Sequence, residues 1–451
     1  MKFLLLVLSI IASCNALLPK IRPQLRSGLL SSSRLYSSYL NTEIEIRNNT
    51  DSTPISQTRL PTTSPASMWH KNRRKQMMQK YASQIIALEQ QSHGLFVGLP
   101  LLILSNLSLA YMAIRCSASL PQLLLFALFP GSILSLWQLQ ILHDALHSSL
   151  LPKPSYQNPS KLMRFVIKHR RKIQNSILFW GSMPSAFGYY LYLQYGHLTH
   201  HKNHGGRDVS LATLFNSTQK NFEDGDVLFT AHRMKLLGDI GPSFTFGKRK
   251  VTMSISKAGF SFWKEGCAIR NAIVFTSSFL CERCLLVLND FVVAATGKNF
   301  FFPNKPREFH YEAANYCRMA VMVRLLLCFA AKSWKPLVFL ALAETLWSIP
   351  PHPACAMFIT NHGSQEDDEG CIPSSSTYAG RWYSFLTLGT NYHVEHHDFP
   401  FIPLHHLWKL RNVIAPEFYR SQGKDKLYGI MKKTFRKPEF YSCMNANAIS
   451  P

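Results

Sequence analysis

The sequence predicts an all-α integral membrane protein, with about four transmembrane helices in two hairpins, interfacial helices and a histidine-rich cap. Three observations predict it. Two apolar stretches, each near the roughly 20 residues needed to cross a bilayer, follow one another closely. A second, less clean pair lies further along. Three histidine clusters then fall on one predicted side of these spans. The mean hydropathy of −0.03 looks soluble, but polar stretches dilute strongly apolar ones.

The N-terminus reads as an address. Residues 1–16, MKFLLLVLSIIASCNA, have a basic start, an apolar run and small residues near Ala16, as in a signal peptide. Residues 17–40 hold four basic residues, six serines and no acid, the composition of a transit segment. A signal followed by a transit segment favours a plastid membrane, with the endoplasmic reticulum membrane as the alternative. Residues 41–67 are rich in Thr, Ser, Asn and Pro and read as disordered linker. A membrane domain is expected over 68–420, and a C-terminal tail over 421–451.

Residues 95–115 are apolar until Arg115, and 121–142 carry no charge. A short CSASL turn makes them a hairpin, with Pro100 and Pro130 as candidate kinks. Residues 313–330 are apolar around Arg318 and Arg324, and 337–360 carry only Glu344. AKSWKP between them makes a second hairpin. Residues 271–297 hold Glu282, Arg283 and Asp290, which suits a helix lying in the interface. Residues 177–196 are broken by Gly and Pro and read as interfacial or re-entrant.

Four spans put both termini and the segments 143–312 and 361–451 on one side. That side carries HKNRRKQMMQK and KLMRFVIKHRRK, as the positive-inside rule expects. The chain has 49 Lys and Arg against 25 Asp and Glu, a net charge of +24. Topology accounts for that charge, so no nucleic-acid partner is implied. The ten cysteines lack the spacing of a zinc ribbon or a disulfide scaffold. Cys281 and Cys284, a lone CxxC in an apolar run, read as buried reduced thiols.

The histidine clusters share the basic side. HDALH supplies His143 and His147, which fall on one helix face at i and i+4. HLTHH supplies His197, His200 and His201. HVEHH supplies His393, His396 and His397. Single histidines are commonly surface or core residues, but three such boxes on one side form a pattern. Imidazole suits zinc, iron, copper and nickel. Eight ligands exceed what one ion takes, which implies two metals. Iron fits a site at a membrane surface that offers neither a serine–histidine pair nor HExxH. Asp144, Glu395 and Asp398 interleave with the boxes and are candidates to orient imidazoles through N–H to carboxylate bonds.

The three boxes and their order resemble the membrane fatty-acyl desaturase family, and are most similar to its sphingolipid Δ4-desaturase branch. HKNRRKQMMQKY, HLTHHKNHGGRDVS, FFPNKPREFHYEAAN and NYHVEHHDFPFIPLHHLWKLRNVIAPEFY carry the likeness. It covers about residues 68–152, 177–210 and 280–420. The resemblance implies a non-haem di-iron centre that activates O2, and a further ligand at the end of the last span. His362 in HPACAMFITNHG occupies that place. His352 reads as structural, and His204, His405 and His406 as surface residues. Met357 stands where the branch usually has histidine. Residues 153–176 and about 211–265 are longer than the family needs.

An unactivated methylene C–H demands a metal–oxygen oxidant, which makes the cap the catalytic part. The expected reaction introduces a C=C bond into a fatty-acyl or sphingoid (ceramide) chain held in the bilayer. No HPGG haem motif is present, so an external electron donor, ferredoxin or cytochrome b5, is implied. A lipid or carotenoid hydroxylase would use the same ligands. A histidine-rich metal-binding or transport protein would instead place its polar ligands inside the spans.

Overall fold

The computed structural model describes residues 65–90, 94–115, 119–147, 149–153, 159–198, 201, 243–246, 249–252, 267–298, 307–360, 365–367, 370–372, 376–419, 427, 432 and 435–436. The expected leader segments 1–16 and 17–40, and nearly all of the linker, lie outside them. All described residues belong to one compact unit.

Helix α1 (Pro65–Gln90) bends at Tyr81. α2 (Gly94–Arg115) is the first expected span and contains Pro100. The second span is continuous from Leu120 to Leu146. It comprises α3 (Leu120–Phe126), a π-helical turn (Ala127–Gly131) around Pro130, and α4 (Ser132–Leu146). α5 (Lys161–Lys168) and α6 (Arg170–Gly181) follow, then α7 (Tyr189–Leu191) and a π-helical turn over Tyr192–His197. α8 (Ala268–Thr296) and α9 (Arg307–Ala331) are long. α10 (Lys335–Leu346) and α11 (Pro353–Thr360) precede α12 (Arg381–Leu386) and α13 (His393–Asp398). The described residues include two short antiparallel hairpins, Ser243–Phe246 with Arg249–Thr252 and Gln365–Asp367 with Gly370–Ile372.

α2, α4, α9 and α10 pack against one another and form the bundle. The outward faces of the three spans expose Phe96, Ile103, Leu104, Leu125, Phe129 and Phe329, the last at 83%. Such a belt is costly in water and neutral in hydrocarbon. Among the described residues three helices are long and apolar enough to cross a membrane: Leu95–Arg115, Leu120–Leu146 and Arg307–Ala331. The expected fourth span, 337–360, is divided into α10 and α11. Pro350, Pro351 and Pro353 lack amide hydrogens and interrupt the helix between them.

Two further segments find their partners inside the protein. Residues 271–296 fall within one 29-residue helix that packs on α9, and Gly297 caps it. Its Asp290 faces inward and pairs with Arg324 at 2.8 Å, so its charge does not hold the helix at the interface. Residues 181–190 are all buried. In hydrocarbon, irregular backbone needs partners within the protein. Glu344 accepts from Ala186 N–H and, at 3.0 Å, from Phe187 N–H. Arg324 Nε donates to the Ser185 carbonyl at 2.7 Å. Gly181 permits the close approach of α6 to the spans, since a Cβ there would stand 2.8 Å from Leu102 and 2.9 Å from Leu142.

Cys284 is exposed rather than buried, and both Cys284 and the buried Cys317 are free thiols. The expected tail is described only in part, but Phe435 returns to the core and its carbonyl accepts from Asn271 at 2.7 Å.

Candidate metal centre

The cap end of α4 presents His143 within the helix and His147 at its C-cap, one turn apart. The π-helical turn after α7 ends on His197, with His201 four positions on. α13 is a six-residue helix that begins on His393 and carries His396 and His397. Its approach depends on Gly389, whose φ of +89° is left-handed and where a Cβ would collide with the Leu404 backbone.

His143, His147, His197, His201 and His396 bring one ligand atom each within 4.8 Å of all the others. His147 Nε2 lies 3.1 Å from His197 Nε2, which lies 2.9 Å from His201 Nε2. His396 Nε2 lies 3.0 Å from His201 Nε2. A neutral imidazole offers one N–H, so successive nitrogens cannot all be paired as donor and acceptor. A shared cation resolves the conflict. Ligands at right angles around one ion, each about 2.1 Å away, stand about 3.0 Å apart. The donor set therefore fits a transition metal that favours imidazole.

His397 stacks on His201 with ring centroids 4.2 Å apart, and the His393 ring lies 4.4 Å from His397. These two extend the cluster beyond the five. His200, His204 and His362 lie outside the described residues. His352 hydrogen-bonds Ser132 Oγ at 3.2 Å and accepts from Ala354 N–H, as a structural residue does. His405 is exposed, but His406 is buried and not the surface residue expected. It ends the 3-10 turn Leu404–His406, whose Leu404 packs in one cluster with Val394 and Phe399. Met357 is buried and its N–H donates to Tyr383 at 3.0 Å.

Of the three interleaved carboxylates, Glu395 and Asp398 are buried and Asp144 is half-buried. Asp144 accepts from Ser149 Oγ at 3.0 Å and Leu404 N–H at 3.2 Å, joining the first box to the segment after the third. Glu395 accepts from Ser376, Tyr378 and Arg411. Burial raises its carboxyl above the usual carboxylate range despite Arg411. Asp398 accepts from His70, Arg73 and Tyr419. Burial alone would raise the Asp398 carboxyl, but the Arg73 charge and the His70 hydrogen bond outweigh it and hold it low. Burial depresses His70, so the neutral ring donates its Nδ1–H.

Sequence reasoning missed the clasp that α1 places behind the third box. Arg73 also donates to the Phe418 carbonyl, and Arg74 to the Asp398 carbonyl at 2.6 Å. The one signal was the basic run HKNRRK, whose charge served the topology argument.

A helical bundle with a belt of exposed apolar side chains and an imidazole cage at one end defines a class: the histidine-box membrane proteins. Residues 118–426 match the fatty acid desaturase family, and the chain belongs to it. Curated relatives carry the names of its sphingolipid branch. A human sphingolipid delta(4)-desaturase/C4-monooxygenase is 34% identical over 129 residues, 27% of this chain and 36% of that one. A rice sphingolipid delta(4)-desaturase-like protein is 38% identical over 88 residues, 20% of this chain and 25% of that one. A Caenorhabditis elegans protein provisionally named in the same way is 39% identical over 84 residues, 19% of this chain and 22% of that one. The matched stretches thus span about a fifth to a third of these relatives. No solved structure matches the chain.

Proposed function

We propose that the protein is a lipid desaturase that uses O2 and a di-iron centre to introduce a C=C bond into a fatty-acyl or sphingoid (ceramide) chain. The convergence of five box histidines at the cap end of a membrane bundle carries this reading. His143, His147, His197, His201 and His396 would hold one ion, and His393 and His397 would contribute to a second with His200 and His362. When bound, iron supplies the oxidising power that an unactivated C–H bond demands.

The chain's own residues do the rest. The boxes hold the donors on three separate elements. Asp144 ties the first box to the segment after the third, Glu395 ties the third box to Ser376, Tyr378 and Arg411, and Asp398 ties it to α1, so these imidazoles are held before the lipid arrives. The bundle presents the acyl chain at the end where the boxes lie. In the net reaction two hydrogens leave neighbouring carbons, O2 is reduced to water, and two electrons with two protons come from outside. Ferredoxin in a plastid, or cytochrome b5 at the endoplasmic reticulum, would supply those electrons.

The names of two of the relatives favour a second reading, hydroxylation at the same site, because they join a desaturase to a C4-monooxygenase. Lipid mass spectrometry tests both. Residues 41–451 are expressed in a host with saturated sphingoid bases, beside a His396→Ala control. A sphingoid base lighter by two hydrogens supports desaturation of that substrate. An unsaturated glycerolipid chain assigns a fatty-acid substrate, and a hydroxylated base assigns the second reading. A lipid profile identical to the control's, from iron-loaded protein supplied with a donor, would overturn the enzyme.

A further inference from the structure

Residues 153–176, longer than the family needs, contain α5 and the start of α6. The reaction gives them no task. α5 is amphipathic in an unusual direction. Val166 is buried in the core, while Leu162 and Phe165 are exposed at 61% and 57%. Lys161, Arg164 and Lys168 are exposed on the same helix, followed by Arg171 and Lys172 on α6. With about 100° between successive helix residues, Leu162 and Phe165 form an apolar edge beside Val166, and the three cations stand beyond it. No Asp or Glu occurs between Asp144 and Asp208.

The height of α5 follows from the contacts of α6, which begins two positions after α5 ends. Gln174 on α6 donates to the carbonyls of Ala145 and Leu146, at the cap end of the second span. Arg170 donates to the Leu151 carbonyl just past that end. α5 therefore sits at the level where the hydrocarbon gives way to headgroups. An apolar edge with cations beyond it matches that boundary: acyl carbon on one side and anionic phosphate on the other.

We infer that α5 is an interfacial anchor that seats Leu162 and Phe165 in the cap-side leaflet and binds anionic phospholipid headgroups through Lys161, Arg164 and Lys168. A soluble acidic protein would satisfy the cations and leave the two apolar side chains in water, so the leaflet is the better occupant.

Hydrogen exchange of the full chain in lipid nanodiscs tests this. Amides of 161–168 should exchange several-fold more slowly in phosphatidylcholine discs containing phosphatidylglycerol than in phosphatidylcholine alone. The difference should shrink by up to about fivefold for each cation removed in K161Q, R164Q and K168Q, and should weaken in high salt. L162S/F165S should lose protection in both lipids. Exchange over 393–398 reports that each variant is folded. Equal exchange of 161–168 in the two lipids would overturn the inference. So would protection conferred by a soluble acidic protein and not by phosphatidylglycerol.

Discussion

His70 and Asp398 stand 328 positions apart in the chain, and His70 Nδ1 lies 2.7 Å from Asp398 Oδ1. The His70 ring also lies 5.2 Å from that of His397, the neighbour of Asp398. One side chain from α1 thus touches both the carboxylate and an imidazole of the third box. Outer partners of this kind set ligand orientation, and losing one commonly costs about 10–100-fold in metal affinity or activity. His70→Ala should weaken metal retention by that order. His70→Asn places an amide N–H near the Nδ1 position and should recover most of the loss. Metal per chain after equilibration with a graded chelator series is the readout; equal retention by wild type and His70→Ala would remove the role.

The five-histidine group separates the box residues into two sets. His201→Ala and His396→Ala each remove a donor from the group whose ligand atoms lie within 4.8 Å. Both should lose product and the ion that this group would hold. His393 lies outside that group and next to His397. His393→Ala should lose product and retain roughly half the metal, as expected when one of two ions is released. Elemental analysis of purified variants decides it, and full metal content in His396→Ala would contradict the assignment.

Arg324 is 1% exposed, and its charge is met by Asp290. Breaking a buried ion pair from one side costs about 3–5 kcal/mol, because the other charge is left alone. Arg324→Met should therefore destabilise strongly in detergent or bilayer unfolding assays. Arg324→Met with Asp290→Leu should recover much of the loss. The Ser185 carbonyl would still lack its donor, so recovery should be incomplete. Additive destabilisation in the double variant would mean that the pair is not coupled.

Gly389 has φ +89°, and the Leu404 backbone leaves no room for a Cβ. Gly389→Ala should cost about 1–3 kcal/mol in strain and shift the segment that delivers α13. Faster hydrogen exchange over 393–398, together with reduced metal retention, is the expected signature. Unchanged exchange there would show that the turn absorbs the methyl group.

The first three helical spans were legible because length and apolarity are local properties. Leu95–Arg115 and Leu120–Leu146 follow almost directly from their composition. The fourth was only half legible. Its apolar average is right, but prolines divide it into Lys335–Leu346 and Pro353–Thr360. Residues 271–297 were legible as a helix, but the partner of their buried charge was not. A charge in an apolar run marks an interface only when its partner is water, and Arg324 is too distant in sequence to be anticipated as the partner of Asp290.

By itself the sequence determined the class of the fold and pointed to the histidines of which the structure gathers five. Those depend on residue type and spacing within one segment. Only the tertiary structure decided which five imidazoles meet, and that the three box carboxylates brace neighbouring elements. It also decided that α1 closes over the third box through His70, Arg73 and Arg74. The α1 contacts join segments more than 320 residues apart, and His396 reaches His201 across 195. Their pairing is set by how the helices pack, and helical spacing along one stretch of chain carries no record of that packing.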